Sequence, residues 1–291
     1  MAENQAILVV SFGTSYNHSR KAAIEAIEQT IAERFPEFRQ YRAFTSPTIR
    51  KKLKARDGLE IDSVEQALAR AQADGVTVLA VQPTYLMGGF EFRDLSAAVN
   101  AAKDKFKRIV LARPLLSQED DYLAVVRAIT DAIASDDKFH DNEETAICFM
   151  GHGTGAAANE VYPKLQKTLE DNGFSRWFIG TVEAQPTLED LIRAMKAKGN
   201  YRRVVLEPLM VVAGEHANHD MAGAHKDSWK SILEAEGYQV ECILRGLGEI
   251  ASIREIYAEH TRAAVNLCIN NFYLHLERND EHYAGIKSQK R

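Results

Sequence analysis

Cysteine is scarce in this sequence, and its scarcity removes two kinds of site. The 291 residues contain three cysteines, and no two of them form a CxxC pair. A small, odd number without close pairs excludes a disulfide framework and does not indicate a thiolate zinc site. Cys148 lies in an apolar run, where we expect a buried, small hydrophobic residue. The chemistry of the chain must come from other side chains.

The sequence also lacks long apolar runs and an excess of positive charge. Its N-terminal stretch, MAENQAILVVSFG, has no basic segment before a short apolar run, so it predicts neither a signal peptide nor a membrane span. We therefore expect a cytoplasmic protein without a membrane partner. The formal net charge of −5 disfavours a broad nucleic-acid surface. No G-x-x-x-x-G-K-[ST] loop is present, so we expect no nucleotide requirement of the ATPase kind.

The sequence does contain a regular alternation of short apolar runs and amphipathic segments. Runs rich in Val, Ile and Leu with little polar alternation are typical of strands buried on both faces of a parallel sheet. Their alternation with helical patterns predicts an α/β architecture with right-handed crossovers. The predicted strands are 6–11, 40–45, 76–82, 108–112, 145–150, 177–183, 203–212 and 239–244. The predicted helices are 19–34, 64–73, 95–105, 121–134, 159–171, 187–198, 221–236 and 250–264.

A weak internal repeat divides the chain into two similar halves. LVVSFGTS in the first half aligns with ICFMGHGTG in the second, which sets Phe12 opposite His152, and a later pair of segments sets Glu91 opposite His216. Two similar doubly wound, Rossmann-like domains that face each other would leave a cleft at the carboxyl ends of their strands, where open α/β sheets bind ligands.

The expected domain boundaries follow from the repeat and from one polar stretch. We predict an N-terminal domain over 1–136, a C-terminal domain over 143–249 and a linker within 135–144. The helical pattern at 250–264 is expected to join the first domain. The tail, 265–291, loses the pattern, so it could extend the last helix, mediate assembly into a homo-oligomer or lack fixed structure.

The first candidate for chemistry is His152 in the segment MGHGTG, directly after a predicted strand. The glycines permit a tight turn that presents the histidine at the edge of the sheet. One alternative is an incidental histidine in a glycine-rich turn. The other is a dinucleotide site, because Gly151, Gly153 and Ala156 fit G-x-G-x-x-A and Glu183 ends the next strand.

The second candidate is His216 in the segment GEHANHD, after the longest apolar run. His216, His219 and His225 fall within ten residues. Imidazole binds Co, Ni, Zn and Fe(II), and it accepts a proton near neutral pH. The alternative is a solvated helix start with Asp220 near its N-cap.

Glu183 is the third candidate, at the end of another predicted strand. It could complete a metal site of two histidines and one glutamate, or it could be a helix N-terminal acid stabilised by the helix dipole. His152, Glu183 and His216 follow three different strands of one half, and their convergence would give few protein ligands and vacant positions for a substrate. Glu91 and Arg93 would face them from the other half.

At these residues the sequence resembles the anaerobic sirohydrochlorin cobaltochelatases of cobalamin synthesis, relatives of ferrochelatase in the class II chelatase group. The matching segments are LVVSFGTS, QPTYLMGGFEFRDL, MGHGT, GTVEAQP and EPLMVVAGEHANHDMAG. The resemblance implies the chelatase fold, with two domains around a cleft and the last helix packed on the first domain. It also implies that His152, Glu183 and His216 bind the metal and act in catalysis. The turns expected to contact the substrate contain Phe12, Gly13, Thr14, Met87, Gly88, Glu91 and Arg93.

The implied reaction is insertion of Co²⁺ into sirohydrochlorin or a precorrin-2-type tetrapyrrole without ATP. Fe²⁺ insertion for sirohaem and Ni²⁺ insertion remain alternatives, because ligand preference alone does not choose among these ions. A non-catalytic metal or tetrapyrrole carrier and an NAD(P)-binding oxidoreductase are the alternatives from other classes. For the substrate carboxylates we favour Arg93 over the KKLK run at 51–54, which could be a solvated helix face.

Overall fold

The computed structural model describes residues 4–137 and 142–269, and in these residues the strands form two four-stranded parallel sheets. The first sheet has the order β2-β1-β3-β4 and the second has the order β6-β5-β7-β8. The strands are β1 (Gln5–Ser11), β2 (Arg39–Phe44), β3 (Val78–Pro83), β4 (Arg108–Leu111), β5 (Thr145–Gly151), β6 (Trp177–Thr181), β7 (Arg203–Pro208) and β8 (Gln239–Cys242). Each predicted strand is present, so the α/β fold class is confirmed.

Helices connect the strands. The α-helices are α1 (Asn17–Ser19), α2 (Ala26–Arg34), α3 (Pro47–Asp57), α4 (Val64–Ala73), α5 (Phe90–Ala101), α6 (Glu119–Ala134), α7 (Val161–Asp171), α8 (Leu188–Lys198), α9 (Trp229–Ala235) and α10 (Ala251–Ile269). A π-helical segment, Arg20–Glu25, joins α1 to α2, and another spans Ala217–Met221. Short 3₁₀ turns occupy Lys103–Lys105, Ala157–Glu160 and Leu247–Glu249. Among the described residues, no helix is both long enough and apolar enough to cross a bilayer.

The predicted strand 203–212 was too long. β7 ends at Pro208, and the next residue makes one more sheet contact through the Leu209 amide, which donates to the Met150 carbonyl at 2.8 Å. The chain then leaves the sheet as a loop. Leu209 and Ala213 at the ends of this loop are buried, and residues 210–212 between them are half-buried. An apolar run does not distinguish such a loop from a buried strand.

Helix boundaries also differ from the prediction. Helix α3 contains the KKLK run at 51–54, which the sequence analysis weighed as a solvated helix face without assigning bounds. Ser46 caps it by accepting a hydrogen bond from the Ile49 amide, and Pro47 occupies the first turn. The predicted helix 221–236 was wrong in its first half, because α9 begins only after the Ser228 cap. The predicted helix at 95–105 begins five residues earlier, at Phe90.

The two sheets repeat one topology, as the sequence repeat predicted. In each, the first strand lies between the second and third strands, so the crossovers change direction beside β1 and beside β5. The carboxyl ends around such a switch point form the crevice where doubly wound sheets bind ligands. Each first strand is followed by a glycine in the left-handed region, Gly13 with φ 97° and Gly153 with φ 85°.

The last helix packs on the first sheet, as expected. The Tyr257 hydroxyl donates to the Tyr85 carbonyl at 3.1 Å, and the Thr261 hydroxyl lies 3.0 Å from Gln82 Oε1. The helix extends to Ile269, five residues past its predicted end. Residues 138–141 of the predicted linker and 270–291 of the predicted tail lie outside the described residues. The domain boundaries therefore stay predictions.

A continuous apolar core joins the two halves. One cluster of buried side chains includes Val9 and Ala80 from the first sheet, Phe149 from the second and Ile253 from α10. Beside it, Lys164 of α7 lies over the ring of Tyr122 of α6, with the ammonium nitrogen 4.3 Å from the ring centroid. Burial of this shared surface holds the two sheets in one arrangement.

The hydrogen bond between Thr261 and Gln82 provides a test of how the last helix docks. The Thr261 hydroxyl also lies 2.8 Å from the Tyr257 carbonyl of its own helix, and the Thr30 hydroxyl of the control makes the same kind of contact, so the two substitutions differ in the contact to Gln82. Gln82 is fully buried, and Thr261→Val should leave its amide oxygen unsatisfied and lower the free energy of unfolding by about 1–3 kcal/mol. Thr30→Val is the matched control, because the Thr30 hydroxyl donates to the Ala26 carbonyl of its own helix. It should change stability by less than about 0.5 kcal/mol. Urea denaturation of both variants measures the difference, and equal values would contradict this docking contact.

Candidate metal centre

A cleft of about 660 Å³ opens between the carboxyl ends of the two sheets. Both halves contribute to its walls, and apolar side chains provide most of the lining surface. The larger ones are Phe12, Ile49, Tyr85, Leu86, Met87, Phe90, Leu209, Met210, Val211 and Val212. Its volume lies within the range of pockets that bind cofactors and other organic ligands.

His152 follows β5 in a turn that only glycines permit. A Cβ at Gly151 would lie 2.3 Å from the Tyr162 ring, and a Cβ at Gly153 would lie 2.8 Å from the Ala184 amide nitrogen. The Gly153 amide donates to the Tyr162 hydroxyl oxygen at 3.1 Å. His152 Nδ1 donates to the Gly153 carbonyl at 2.8 Å. The remaining ring nitrogen, Nε2, therefore carries the lone pair.

Glu183 lies in the loop between β6 and α8. β6 ends at Thr181, two residues earlier than predicted, but the Glu183 amide still donates to the His152 carbonyl at 2.9 Å. Its carboxylate oxygen lies 3.9 Å from His152 Nε2. Thr187 and Asp190 form the capping box of α8. Glu183 is thus not the acid of that helix start, and its carboxylate faces the histidine.

His216 stands at the start of the π-helical segment Ala217–Met221. Its Nδ1 donates to Asp220 Oδ2 at 2.6 Å, which leaves Nε2 with the lone pair. Burial opposes ionisation of Asp220, but hydrogen bonds from His219 and His216 outweigh it and hold the pKa of Asp220 below its ordinary value. The His216 ring lies against the His152 ring, with the centroids 4.7 Å apart and the planes at 78°.

These three side chains form a group that could hold a metal ion. One ligand atom from each of His152, Glu183 and His216 lies within 4.8 Å of the other two. The side chains remain accessible, at 46% for His152, 57% for Glu183 and 34% for His216. Two imidazoles and one carboxylate suit Co, Ni, Zn or Fe(II), and their exposure leaves coordination positions for a substrate.

The first half places most of its predicted substrate residues at this cleft. Phe12, Gly13, Thr14, Met87 and Glu91 line it. Gly88 and Arg93 are not among the lining residues, so the expected cleft position of these two finds no support in the geometry.

Arg93 lies in the first turn of α5, which begins at Phe90. Its side chain is 71% exposed, its Nε lies 3.6 Å from Asp94, and its guanidinium lies 5.1 Å from the Phe90 ring centroid. The sequence analysis took Arg93 for part of a turn, whereas in the helix its guanidinium packs on Phe90 and does not itself line the cleft.

Lys52 belongs to the KKLK run that the sequence analysis ranked below Arg93, and it lines the cleft from α3. Thr48 and Ile49 of the same helix, which the sequence analysis did not consider, line the cleft beside it. Residues 48 and 52 are four apart, so they lie on one face of α3. A prediction of the bounds of α3 would have shown that they share this face. Across the cleft, the Tyr16 hydroxyl donates to Glu215 Oε2 at 2.8 Å and links the two halves.

The glycine pattern of the dinucleotide alternative has another explanation here. Gly151 and Gly153 pack against Tyr162 and Ala184 of the same half, so close approach of the chain to itself accounts for both. In the dinucleotide alternative, Glu183 would bind a ribose at the end of its strand. In the structure its carboxylate lies 3.9 Å from His152 Nε2 instead. The absence of a nucleotide requirement stays a prediction.

Comparisons with known proteins agree with this arrangement. The sirohydrochlorin cobaltochelatase of Salmonella typhimurium is 36% identical over 265 residues, which cover 91% of this chain and 98% of the relative. The sirohydrochlorin cobaltochelatase CbiKC of Nitratidesulfovibrio vulgaris is 33% identical over 262 residues, covering 89% of this chain and 90% of the relative.

The fold is shared more widely. The structure of SirB from Bacillus subtilis with Fe3+ matches with a TM-score of 0.63 at 15% identity, covering 90% of this chain and 96% of that one. The family described as cobalt chelatase (CbiK) matches residues 5–266, a span that includes both sheets and all three side chains of the candidate metal centre. The chain therefore belongs to the CbiK family of cobalt chelatases.

Proposed function

We propose that this chain inserts Co²⁺ into sirohydrochlorin without ATP, with His152, Glu183 and His216 as the residues that hold the ion. The observation that carries the proposal is the convergence of these three ligand atoms, within 4.8 Å of one another, on a cleft with apolar walls. The names and coverage of the two relatives support the substrate and the metal.

The three candidate ligands suit an ion that the protein must release to its substrate. Three accessible side chains leave part of the coordination sphere to water or to the substrate. A complete set of protein ligands would compete with the four ring nitrogens that receive the ion. An incomplete set lets those nitrogens replace the protein ligands one at a time.

The histidines can also take up the protons that insertion releases. The macrocycle loses two pyrrole N–H protons as it gains the divalent ion. Hydrogen bonds at Nδ1 leave Nε2 of His152 and of His216 with a lone pair. That lone pair binds the ion first, and once the ion has moved to the ring it can accept a pyrrole proton as a general base.

The cleft fits a large, flat organic ligand with charged edges. Its apolar walls can pack on the two faces of a macrocycle, while the carboxylates of sirohydrochlorin need cations nearby. Lys52 is the lysine on the cleft wall, and we assign it the role first expected for Arg93. Fe²⁺ and Ni²⁺ stay alternatives for the metal because the same ligands accept them.

Removal of either histidine should abolish most of the activity. His152→Ala and His216→Ala should each fold but lose Co²⁺ insertion by at least ~100-fold, the range expected for a lost general base. His18→Ala is the control, since His18 is an exposed histidine remote in sequence from the centre, and it should keep the wild-type rate. Initial rates under anaerobic conditions, read from the absorbance of the macrocycle, provide the measurement. Near-wild-type insertion by both variants would remove the proposed site.

Lys52 and Arg93 form a matched pair of cations for a test of substrate binding. Lys52→Ala should raise KM for sirohydrochlorin more than it lowers kcat, because the lost attraction acts on the bound substrate. The effect should shrink at high salt, where surface charges are screened. Arg93→Ala should leave KM close to the wild-type value. A larger KM effect from Arg93→Ala than from Lys52→Ala would contradict the assignment.

A further inference from the structure

A second cluster of metal-ligating side chains lies beside the candidate metal centre. One ligand atom from each of His219, Asp220 and His225 lies within 4.8 Å of the other two. Within the part of the chain that the structure describes, this cluster and the candidate metal centre are the two groups of three His, Cys, Asp or Glu side chains with such spacing. None of its residues lines the cleft.

The cluster has a defined geometry. The two imidazole rings stack with their centroids 4.3 Å apart and 29° between their planes. His219 Nδ1 donates to Asp220 Oδ1 at 2.9 Å, and His225 Nε2 donates to the His219 carbonyl at 2.9 Å. The 2.9 Å between His219 Nδ1 and Asp220 Oδ1 is close to the separation of two neighbouring ligands of one ion. An ion bound there replaces the proton on Nδ1, which is released to solvent, and the hydrogen bond from Nε2 of His225 leaves its Nδ1 with a lone pair.

Gly223 permits the close approach of His225 to His219. A Cβ at this position would lie 2.2 Å from the His219 carbonyl oxygen and 2.8 Å from the His225 ring. Only a residue without a side chain lets His225 return against the π-helical segment that carries His219. The pairing of the two histidines is therefore a consequence of the local backbone.

Asp220 belongs to both clusters. Its Oδ2 accepts from His216 of the metal centre, at 2.6 Å, and its Oδ1 accepts from His219 of the outer cluster, at 2.9 Å. The same carboxylate thus orients a proposed metal ligand and offers an oxygen to the outer cluster. An ion bound outside would interact with a residue that holds His216 in place.

We propose that His219, Asp220 and His225 form a second binding site for a divalent transition-metal ion, joined to the metal centre through Asp220. Two imidazoles and one carboxylate select Co²⁺, Ni²⁺, Zn²⁺ or Fe²⁺ over Mg²⁺ and Ca²⁺, which prefer oxygen ligands. The site goes beyond the proposed function, because binding of an ion there requires no turnover and no tetrapyrrole.

Calorimetric titration of the metal-free full chain with Co²⁺ tests this proposal. The double variant His219→Ala/His225→Ala should bind one equivalent fewer than the wild type. His18→Ala, the matched removal of an exposed histidine, should bind the same number of equivalents as the wild type. His152→Ala should lose the Co²⁺ ion of the candidate metal centre instead. The triple variant His152→Ala/His219→Ala/His225→Ala should therefore bind two equivalents fewer than the wild type. Titration with Mg²⁺ should give no heat that depends on His219 or His225.

The outcomes separate the outer site from the metal centre. If the double variant binds as many Co²⁺ ions as the wild type, the outer site does not exist, whatever His152→Ala shows. If His152→Ala binds as many as the wild type while the double variant loses one, the metal centre fails and the outer site stands.

A measurement on the wild-type chain covers the case in which the double variant does not fold. A Co²⁺-soaked crystal should show an anomalous peak within coordination distance of His219, Asp220 and His225. A peak at the metal centre without one at the outer cluster would overturn the proposal.

Discussion

The parallel register between β5 and its two neighbours is the constraint on which the metal centre depends. Backbone hydrogen bonds continue this register past the last residues of the strands: the Val182 amide donates to the Gly151 carbonyl, and the Glu183 amide donates to the His152 carbonyl. On the other side of β5, the Leu209 amide donates to the Met150 carbonyl. These bonds place the loop after β6 against the turn after β5, so that a carboxylate lies beside an imidazole.

Hydrogen bonds at Nδ1 of His152 and of His216 then determine which ring nitrogen is available in the site. The Gly153 carbonyl and the Asp220 carboxylate both accept from an Nδ1, so Nε2 is the nitrogen that both histidines offer to a metal ion. Such outer contacts fix the tautomer and the orientation of a ligand. Among the described residues, the three side chains of the candidate metal centre all come from the second half. The first half supplies apolar wall and Lys52, so in the proposed reaction the second half would hold the ion while the first half faces the macrocycle.

Much of this arrangement was predictable from the sequence, and the exceptions have physical causes. Strands buried on both faces read as apolar runs, and parallel strands end at one edge, so His152, Glu183 and His216 could be placed together. The end of β7 was not predictable, because its apolar run continues into a buried loop. The contact of Arg93 was not predictable, because α5 begins at Phe90 and the guanidinium packs on that ring. The role of Asp220 depends on a π-helical turn, which periodicity does not reveal.

X-ray absorption spectroscopy can test directly whether the metal centre binds Co²⁺ and releases it to the macrocycle. The sample is the His219→Ala/His225→Ala variant, which lacks the outer cluster, with less than one equivalent of Co²⁺, before and after sirohydrochlorin is added under anaerobic conditions. Before addition, we expect two imidazole nitrogens and carboxylate or water oxygens around the ion. After addition, we expect replacement of these ligands by the four nitrogens of the macrocycle. An all-oxygen environment at the start, or imidazole ligands that persist after the tetrapyrrole binds, would contradict the proposed reaction.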